Sequence, residues 1–447
     1  MDYGEKNILV LGAGSSGIGA AWVLAQLHAN VVLNDYKPVE FESSTRKKLD
    51  DAGVTIITGR QDNSLLNGVD RIVISPGIAL SIPIVQEAFN RHIEVVSEVE
   101  LAYDVCKSPI LGVTGTNGKT TTTTLLTQVM ESTGLPIKVG GNIGDSLSEA
   151  AFNMPEGGYL IAELSSYQLE TIKSFCPLGA IVLNVTPDHL ARHKTMENYA
   201  AAKARIFMNQ NAENFVVLND DDPIVAAMKK DVHSKILSIS QHHKVECGAY
   251  FEGNTCYAVL NGNVISVIDT EQIHIKGAHN IENILSVIAL TYALGVDVER
   301  IKRTIENFHG VEHRLERVTT IHDVTFYTDS VVKALDAFDK PVILLAGGHD
   351  KMTPLEDFMN VVKKNTKEVI FMGEAAERFE SVATKVGVTN IHRAQSMKEA
   401  VELGYKLAEP SDIVLLSPAC SSFDWYSCFE ERGDDFKKCV KELEERG

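Results

Sequence analysis

The sequence predicts an α/β chain of three doubly wound segments joined end to end. Three observations carry that expectation. Apolar strand-like runs alternate with helix-length amphipathic stretches along the 447 residues. Two Gly-rich turns, at 12–17 and 112–121, each lie between such a strand and such a helix. The length suits about three domains at roughly 150 residues each.

The first segment reads strand, helix, strand. A run at 8–11 leads into Gly12-Ala13-Gly14-Ser15-Ser16-Gly17, and an amphipathic helix follows to about residue 27. A second strand at 31–33 ends in Asn34-Asp35, and a third at 71–74 ends in Ser75-Pro76-Gly77-Ile78. Glycines at these spacings permit a tight turn, and an acid about 20 positions on completes a dinucleotide fingerprint. Taken alone, this Rossmann-like segment reads as a nicotinamide dinucleotide site.

The second segment begins near Ser108. A strand-like run at 110–111 leads into Gly112-Val113-Thr114-Gly115-Thr116-Asn117-Gly118-Lys119-Thr120-Thr121, and a helix is expected over 121–132. Such a turn points backbone N–H groups at phosphates, its lysine supplies a point charge, and the hydroxyl after it can hold Mg²⁺. The strict pattern would place glycine at Val113, so a Gly-rich turn capping an ordinary helix is the alternative. Strands at 159–162, 180–183 and 215–218 follow, and a helix over 279–294 closes the segment. The third segment starts after Phe308, with strands near 342–345, 369–372 and 413–416.

Composition narrows the function classes. The net charge of −18 is spread without a basic block, so no nucleic-acid partner is expected. An acidic protein that binds nucleotides must place its few cations individually. No window nears the ~18 apolar residues that span a bilayer, and the chain enters a strand almost at once. No membrane insertion and a cytoplasmic setting are therefore expected. The seven cysteines are scattered without a Cys-x-x-Cys pair, which suits free thiols.

Six residues stand out chemically. Glu163 ends an apolar strand, where a carboxylate is placed to hold Mg²⁺ beside a phosphate loop; the alternative is a helix N-terminal acid. His189 follows Asp188 just past another strand end, where Asp188 can orient it. Lys203 has Tyr199 at i−4, Ile206 at i+3 and Phe207 at i+4, so it lies within or beside a buried stripe. A desolvated lysine reacts as a neutral amine, whereas a snorkelling one stays charged in water. Asn280 and Asn283 share one face of the closing helix, where they read a base or ribose or simply cap the helix. Arg314, at the junction to the third segment, suits a phosphate clamp or an interdomain ion pair.

Together these motifs resemble the Mur ligase family of ATP-dependent amide ligases, over nearly the whole chain. Thr114 to Thr121 marks that family and the folylpolyglutamate ligases in general. Gly141-Asn142-Ile143-Gly144, Glu163-Leu164-Ser165-Ser166-Tyr167-Gln168-Leu169-Glu170 and Asp188-His189-Leu190 are more specific. Ser417-Pro418-Ala419-Cys420-Ser421-Ser422-Phe423-Asp424, followed by Phe429-Glu430-Glu431-Arg432-Gly433, resembles the members that add D-glutamate to UDP-N-acetylmuramoyl-L-alanine.

The resemblance implies three domains: 1–97 for the UDP-sugar, a P-loop-type ATPase over 98–309, and a Rossmann-like 310–447 for the amino acid. It reassigns the first glycine turn to UDP, with Gly14, Ser15, Ser16, Asp35, Lys37, Ser75 and Gly77 around it and Asn142 near the substrate. ATP falls to Gly115, Thr116, Asn117, Gly118, Lys119, Thr120, Thr121, Asn280, Asn283, Arg314 and Asp329. Lys119, Glu163, His189 and Lys203 become catalytic. One Mg²⁺ falls to Thr120 and Glu163, another to His189 and a carbamylated Lys203. Ser422, Phe423 and Phe429 would receive D-glutamate. A monomer acting in peptidoglycan precursor synthesis is expected.

Two departures from the pattern stand out. After Asp329-Ser330 several residues of the usual loop are absent, either because the loop is short or because the sequence as written omits them. Ala191 also replaces the usual aspartate of Asp-His-Leu-Asp-Arg-His. Rival readings are a nicotinamide-dependent oxidoreductase, another Mur-type or folylpolyglutamate ligase, and a non-catalytic nucleotide-binding relative.

Overall fold

The computed structural model describes residues 2–446 except 143–144, 276, 312–315, 329–334, 336–337, 339, 351–354, 421, 423 and 427. The chain divides into two compact units, Met1–His274 with Ala278–Phe308, and Ile275–Gly277 with His309–Gly447. The expected 97/98 boundary lies inside the first unit, and the 309/310 boundary lies at its edge.

Two sheets build the first unit. In one, β1 (Asn7–Leu11), β2 (Asn30–Asp35), β3 (Thr55–Thr58), β4 (Arg71–Ile74) and β5 (Glu94–Ser97) run parallel in the order β3-β2-β1-β4-β5. The order reverses at β1, so a crevice opens past its carboxyl end. The Gly12 turn leaves there, and the helix Ser15–Gln26 packs its buried Ala20, Ala21, Val23 and Leu24 onto the sheet. Gly17 is required for this close packing, because a Cβ there would lie 1.8 Å from the Gly12 carbonyl oxygen.

The other sheet has nine strands in the order β14-β13-β12-β11-β10-β9-β6-β8-β7. Its parallel part is β6 (Ile110–Thr114), β7 (Ile137–Gly141), β8 (Tyr159–Glu163), β9 (Gly179–Val182), β10 (Phe215–Asn219), β11 (Lys235–Ser240) and β12 (Gly248–Glu252). β6 is buried throughout and lies between β8 and β9, so its carboxyl end is again a switch point. The helix Lys119–Glu131 begins two residues before the expected start, directly after Gly118.

Five strands of this sheet lie outside the sequence reading: β7, β11, β12, and the antiparallel end that β13 (Thr255–Leu260) and β14 (Asn263–Asp269) form against β12. Asn261-Gly262 turns β13 into β14 with φ of 51° and 79°, the signature of a two-residue hairpin.

The second unit holds β15 (Glu316–Ile321), β16 (Val324–Thr328), β17 (Val342–Gly347), β18 (Thr366–Met372), β19 (Ile391–Ala394) and β20 (Ile413–Leu416), in the order β15-β16-β20-β17-β18-β19. β15 and β16 pair antiparallel and the other pairs run parallel. The strands expected in this segment fall within β17, β18 and β20. Buried apolar clusters cover both faces of the sheet.

Candidate active site

The phosphate-loop residues form a folded-back turn at the carboxyl end of β6. Gly118 adopts φ 83°, and a Cβ there would lie 2.3 Å from Asn283 Oδ1. Only glycine meets both conditions. Asn184, just past β9, braces the loop: its Oδ1 accepts from Asn117 N at 2.9 Å and its Nδ2 donates to Asn117 O at 3.2 Å. Thr116 Oγ1 donates to Thr186 O at 3.2 Å and lies 3.2 Å from the Tyr199 hydroxyl. Lys119 Nζ donates to the carbonyls of Gly115 and Thr116 at 3.0 and 2.9 Å.

Lys203 arrives at the same carbonyl from another element. It sits in the helix Met196–Ala204, is 1% exposed, and its Nζ donates to Gly115 O at 2.7 Å. The side chain therefore does not snorkel to water. Burial pushes its ammonium down to about 6, and the neighbouring Lys119 charge adds to that. Asp188 acts in the opposite sense. The Tyr199 ring lies 4.5 Å from Nζ, one helical turn back. Burial first, and repulsion between two ammonium groups on one carbonyl second, favour the neutral amine of Lys203.

Glu163 ends β8 opposite Val113 of β6 and is fully buried. Its Oε1 accepts from Asn142 Nδ2 at 2.8 Å. Its Oε2 is buried and, among the described residues, has no hydrogen-bond partner. An orphaned carboxylate oxygen is costly to bury, and a cation or donor arriving beside the phosphate loop would relieve it. The set fits Mg²⁺, which takes one or two carboxylates and draws its remaining oxygens from hydroxyls, water and phosphates. Among the described residues no three His, Cys, Asp or Glu side chains form a ready-made metal cluster.

His189 is exposed, in a left-handed conformation with φ 53°. It caps the short helix Leu190–His193, and its N–H donates to Asp188 Oδ1 at 2.8 Å. The Tyr167 ring packs 5.0 Å from its ring. Asn280 and Asn283 are both buried in the helix Ala278–Ala293, where Asn283 Nδ2 donates to Asn280 Oδ1 at 3.1 Å.

At the first sheet, Asp35 holds the glycine turn itself. Its two oxygens accept from Ala13 N and Lys37 N, each at 2.9 Å. That use of both oxygens in bracing backbone does not favour the ribose contact a dinucleotide needs. Gly14 and Ser15 are exposed at the head of the helix, and Gly77 lies exposed in the turn after β4, whose Ser75 Oγ donates to Gly12 O at 3.3 Å.

In the second unit Ser422 is buried, and Phe429 opens the helix Phe429–Glu444. Arg314, Asp329 and Phe423 lie outside the described residues, as does most of the stretch after Ser330. Sequence reasoning missed Glu170, Arg192 and the braces at Asn184 and Tyr199. Glu170 and Arg192 stood inside or beside quoted motifs, but nothing in the spacing shows that they meet.

Comparison with known proteins extends this picture. The Mur ligase MurD-like N-terminal domain matches residues 6–97, the Mur ligase middle domain 113–291, and the Mur ligase glutamate ligase domain 311–420. A UDP-N-acetylmuramoylalanine--D-glutamate ligase of Thermoanaerobacter pseudethanolicus is 40% identical over 452 residues, covering 99% of this chain and 100% of its own. The protein of the same description from Clostridioides difficile is 38% identical over 455 residues, with 99% and 100% covered. Among solved structures, a pseudomurein peptide ligase type C from Methanothermus fervidus shares the fold at TM-score 0.61 and 19% identity, with 98% of this chain and 100% of that one covered. The UDP-N-acetylmuramate-alanine ligase of Thermotoga maritima does so at TM-score 0.60 and 18% identity, with 98% and 99% covered. With its three α/β sheets and these full-length matches, the chain belongs to the Mur ligase family.

Proposed function

We propose that this chain is an ATP-dependent amide ligase that joins D-glutamate to UDP-N-acetylmuramoyl-L-alanine. The observation that supports it best is the buried Lys203, which donates to the same Gly115 carbonyl as Lys119. A plain nucleotide-binding protein has no use for a second, neutral lysine there. The near 40% identity to D-glutamate ligases over the full chain supports the choice of amino acid.

A carboxylate is a poor electrophile at neutral pH, so it must be activated. An oxygen of the L-alanyl carboxylate attacks the γ-phosphorus of ATP, the bond to the β-phosphate oxygen breaks, and ADP leaves. The amine of D-glutamate then attacks the acyl-phosphate carbon. The tetrahedral intermediate expels phosphate and loses a proton, leaving the amide. Lys119 neutralises charge on the transferred group, and the loop N–H groups orient the phosphates.

Mg²⁺, held by Thr120 and Glu163 and by His189 with carbamylated Lys203, would supply charge neutralisation at the phosphates. The neutral Lys203 amine suits carbamylation: its lone pair adds to CO₂, one proton is released, and an anion replaces a lost cation. Gly115 to Thr121, Asn280, Asn283, Arg314 and Asp329 are assigned to ATP. Gly14, Ser15, Ser16, Asp35, Lys37, Ser75, Gly77 and Asn142 are assigned to the UDP-substrate, and Ser422, Phe423 and Phe429 to D-glutamate. The reading takes the protein as a monomer that works in the cytoplasm, where nucleotide substrates are found.

The product tests this reading. With D-glutamate, ATP and Mg²⁺, the UDP-sugar must gain the mass of one glutamyl residue for each ADP released. ADP release without that product would refute it.

A further inference from the structure

We infer that Arg192 is a positioning residue that couples the turn 75–78 of the first sheet to the segment carrying His189. The inference rests on the function proposed above only for its kinetic consequence. Arg192 holds Glu170 through two bonds, Nε to Oε1 at 3.2 Å and Nη2 to Oε2 at 2.6 Å. The same Nη2 donates to Ile78 O at 2.9 Å. Ile78 N closes its turn onto Ser75 O, and the Ile78 side chain abuts the Gly12 turn: a Cβ on Gly12 would lie 3.1 Å from Ile78 Cδ1. One guanidinium thus reaches the wall of the glycine turn.

Its other connections lead to His189. The guanidinium lies 5.2 Å from the Tyr167 ring centre, and that ring packs on His189. Glu170 also faces His193 Nδ1 at 3.6 Å, while His193 Nε2 lies 2.9 Å from Ser166 Oγ. The segment between these anchors is strained: His189 and Lys194, neither a glycine, have φ of 53° and 70°. Such conformations persist only where neighbours over-determine them. The Arg192–Glu170 fork, with both side chains at or below 20% exposure, is such a constraint. A planar fork that also reaches a carbonyl is a task lysine cannot reproduce.

The test uses the full chain and the variants Arg192→Gln, Arg192→Lys and Glu170→Gln. Amide exchange is read in both 75–82 and 188–194, and steady-state kinetics with each substrate varied. The expected result for Arg192→Gln is faster exchange in both segments. With it, kcat/KM for the UDP-substrate falls roughly 100-fold, as expected of a small misplacement at a reacting centre, while KM for ATP stays within about twofold. Arg192→Lys recovers only part of that loss. Exchange that quickens only in 188–194, or kinetics that fall equally for both substrates together with a lower melting temperature, would overturn the coupling. If the unaltered chain shows no D-glutamate-dependent turnover, the functional reading fails, and exchange in the two segments alone decides the coupling.

Discussion

Replacing Lys203 by methionine should make the protein more stable and inactive, and the stability gain should depend on pH in a fixed direction. Lys203 is 1% exposed and its ammonium is pushed from 10.5 down to about 6. Between those values the unfolded chain carries a proton that the folded chain does not. Stability then rises with pH by about 1.4 kcal/mol per pH unit. The penalty is complete below about 6 and vanishes as pH rises through the unfolded value. At pH 7.5 it amounts to about 4 kcal/mol, from which the bond to Gly115 O subtracts about 1 kcal/mol. Methionine fills similar space without the charge. Urea midpoints for the two proteins, in CO₂-free buffer without nucleotide, should differ most at pH 6 and below, and the difference should shrink steadily from pH 7 through pH 9. Bicarbonate should stabilise the unaltered chain and not Lys203→Met, because carbamate forms only on the folded-state amine. A difference that does not change between pH 7 and 9, or a methionine variant less stable throughout, would refute the reasoning.

Other outcomes follow from the same geometry. Lys119→Ala should lower kcat about 10²- to 10³-fold with the fold intact, measured by ADP release against melting temperature. Gly118→Ala forces a Cβ onto Asn283 Oδ1 at an unfavourable φ, so calorimetry should show ATP affinity down at least tenfold while the UDP-substrate still binds. Glu163→Gln removes the buried charge from the orphaned oxygen's position, so the variant should be at least as stable and should need far more Mg²⁺ for half-maximal turnover, read by metal titration.

Much of the architecture was legible because local chemistry and position agreed. The helix after Gly118 follows from a turn that only glycine can make, and β4 and β20 match the expected runs residue for residue. β13 and β14 lie outside the reading although Asn261-Gly262 marks their turn, because they pair as an antiparallel hairpin and break the strand–helix alternation of the rest of the sheet. Lys203 was ambiguous: helical spacing placed it beside the apolar stripe, but whether its head reached water depended on Gly115 O, 88 positions away in sequence. The Arg192–Glu170–Ile78 junction was invisible for the same reason, since two of its three members meet only after two sheets have formed. Asp35 illustrates the converse. Its spacing fitted a dinucleotide acid, yet its oxygens brace the backbone of the turn.

Amino-acid selection by a family member with this phosphate-loop chemistry can be tested directly. ADP release should be followed with UDP-N-acetylmuramoyl-L-alanine and Mg-ATP, offering D-glutamate, L-glutamate, L-lysine and meso-diaminopimelate in turn. Turnover with D-glutamate alone is the predicted result. Turnover with another amino acid, or none at all from folded protein that still binds ATP, would contradict it.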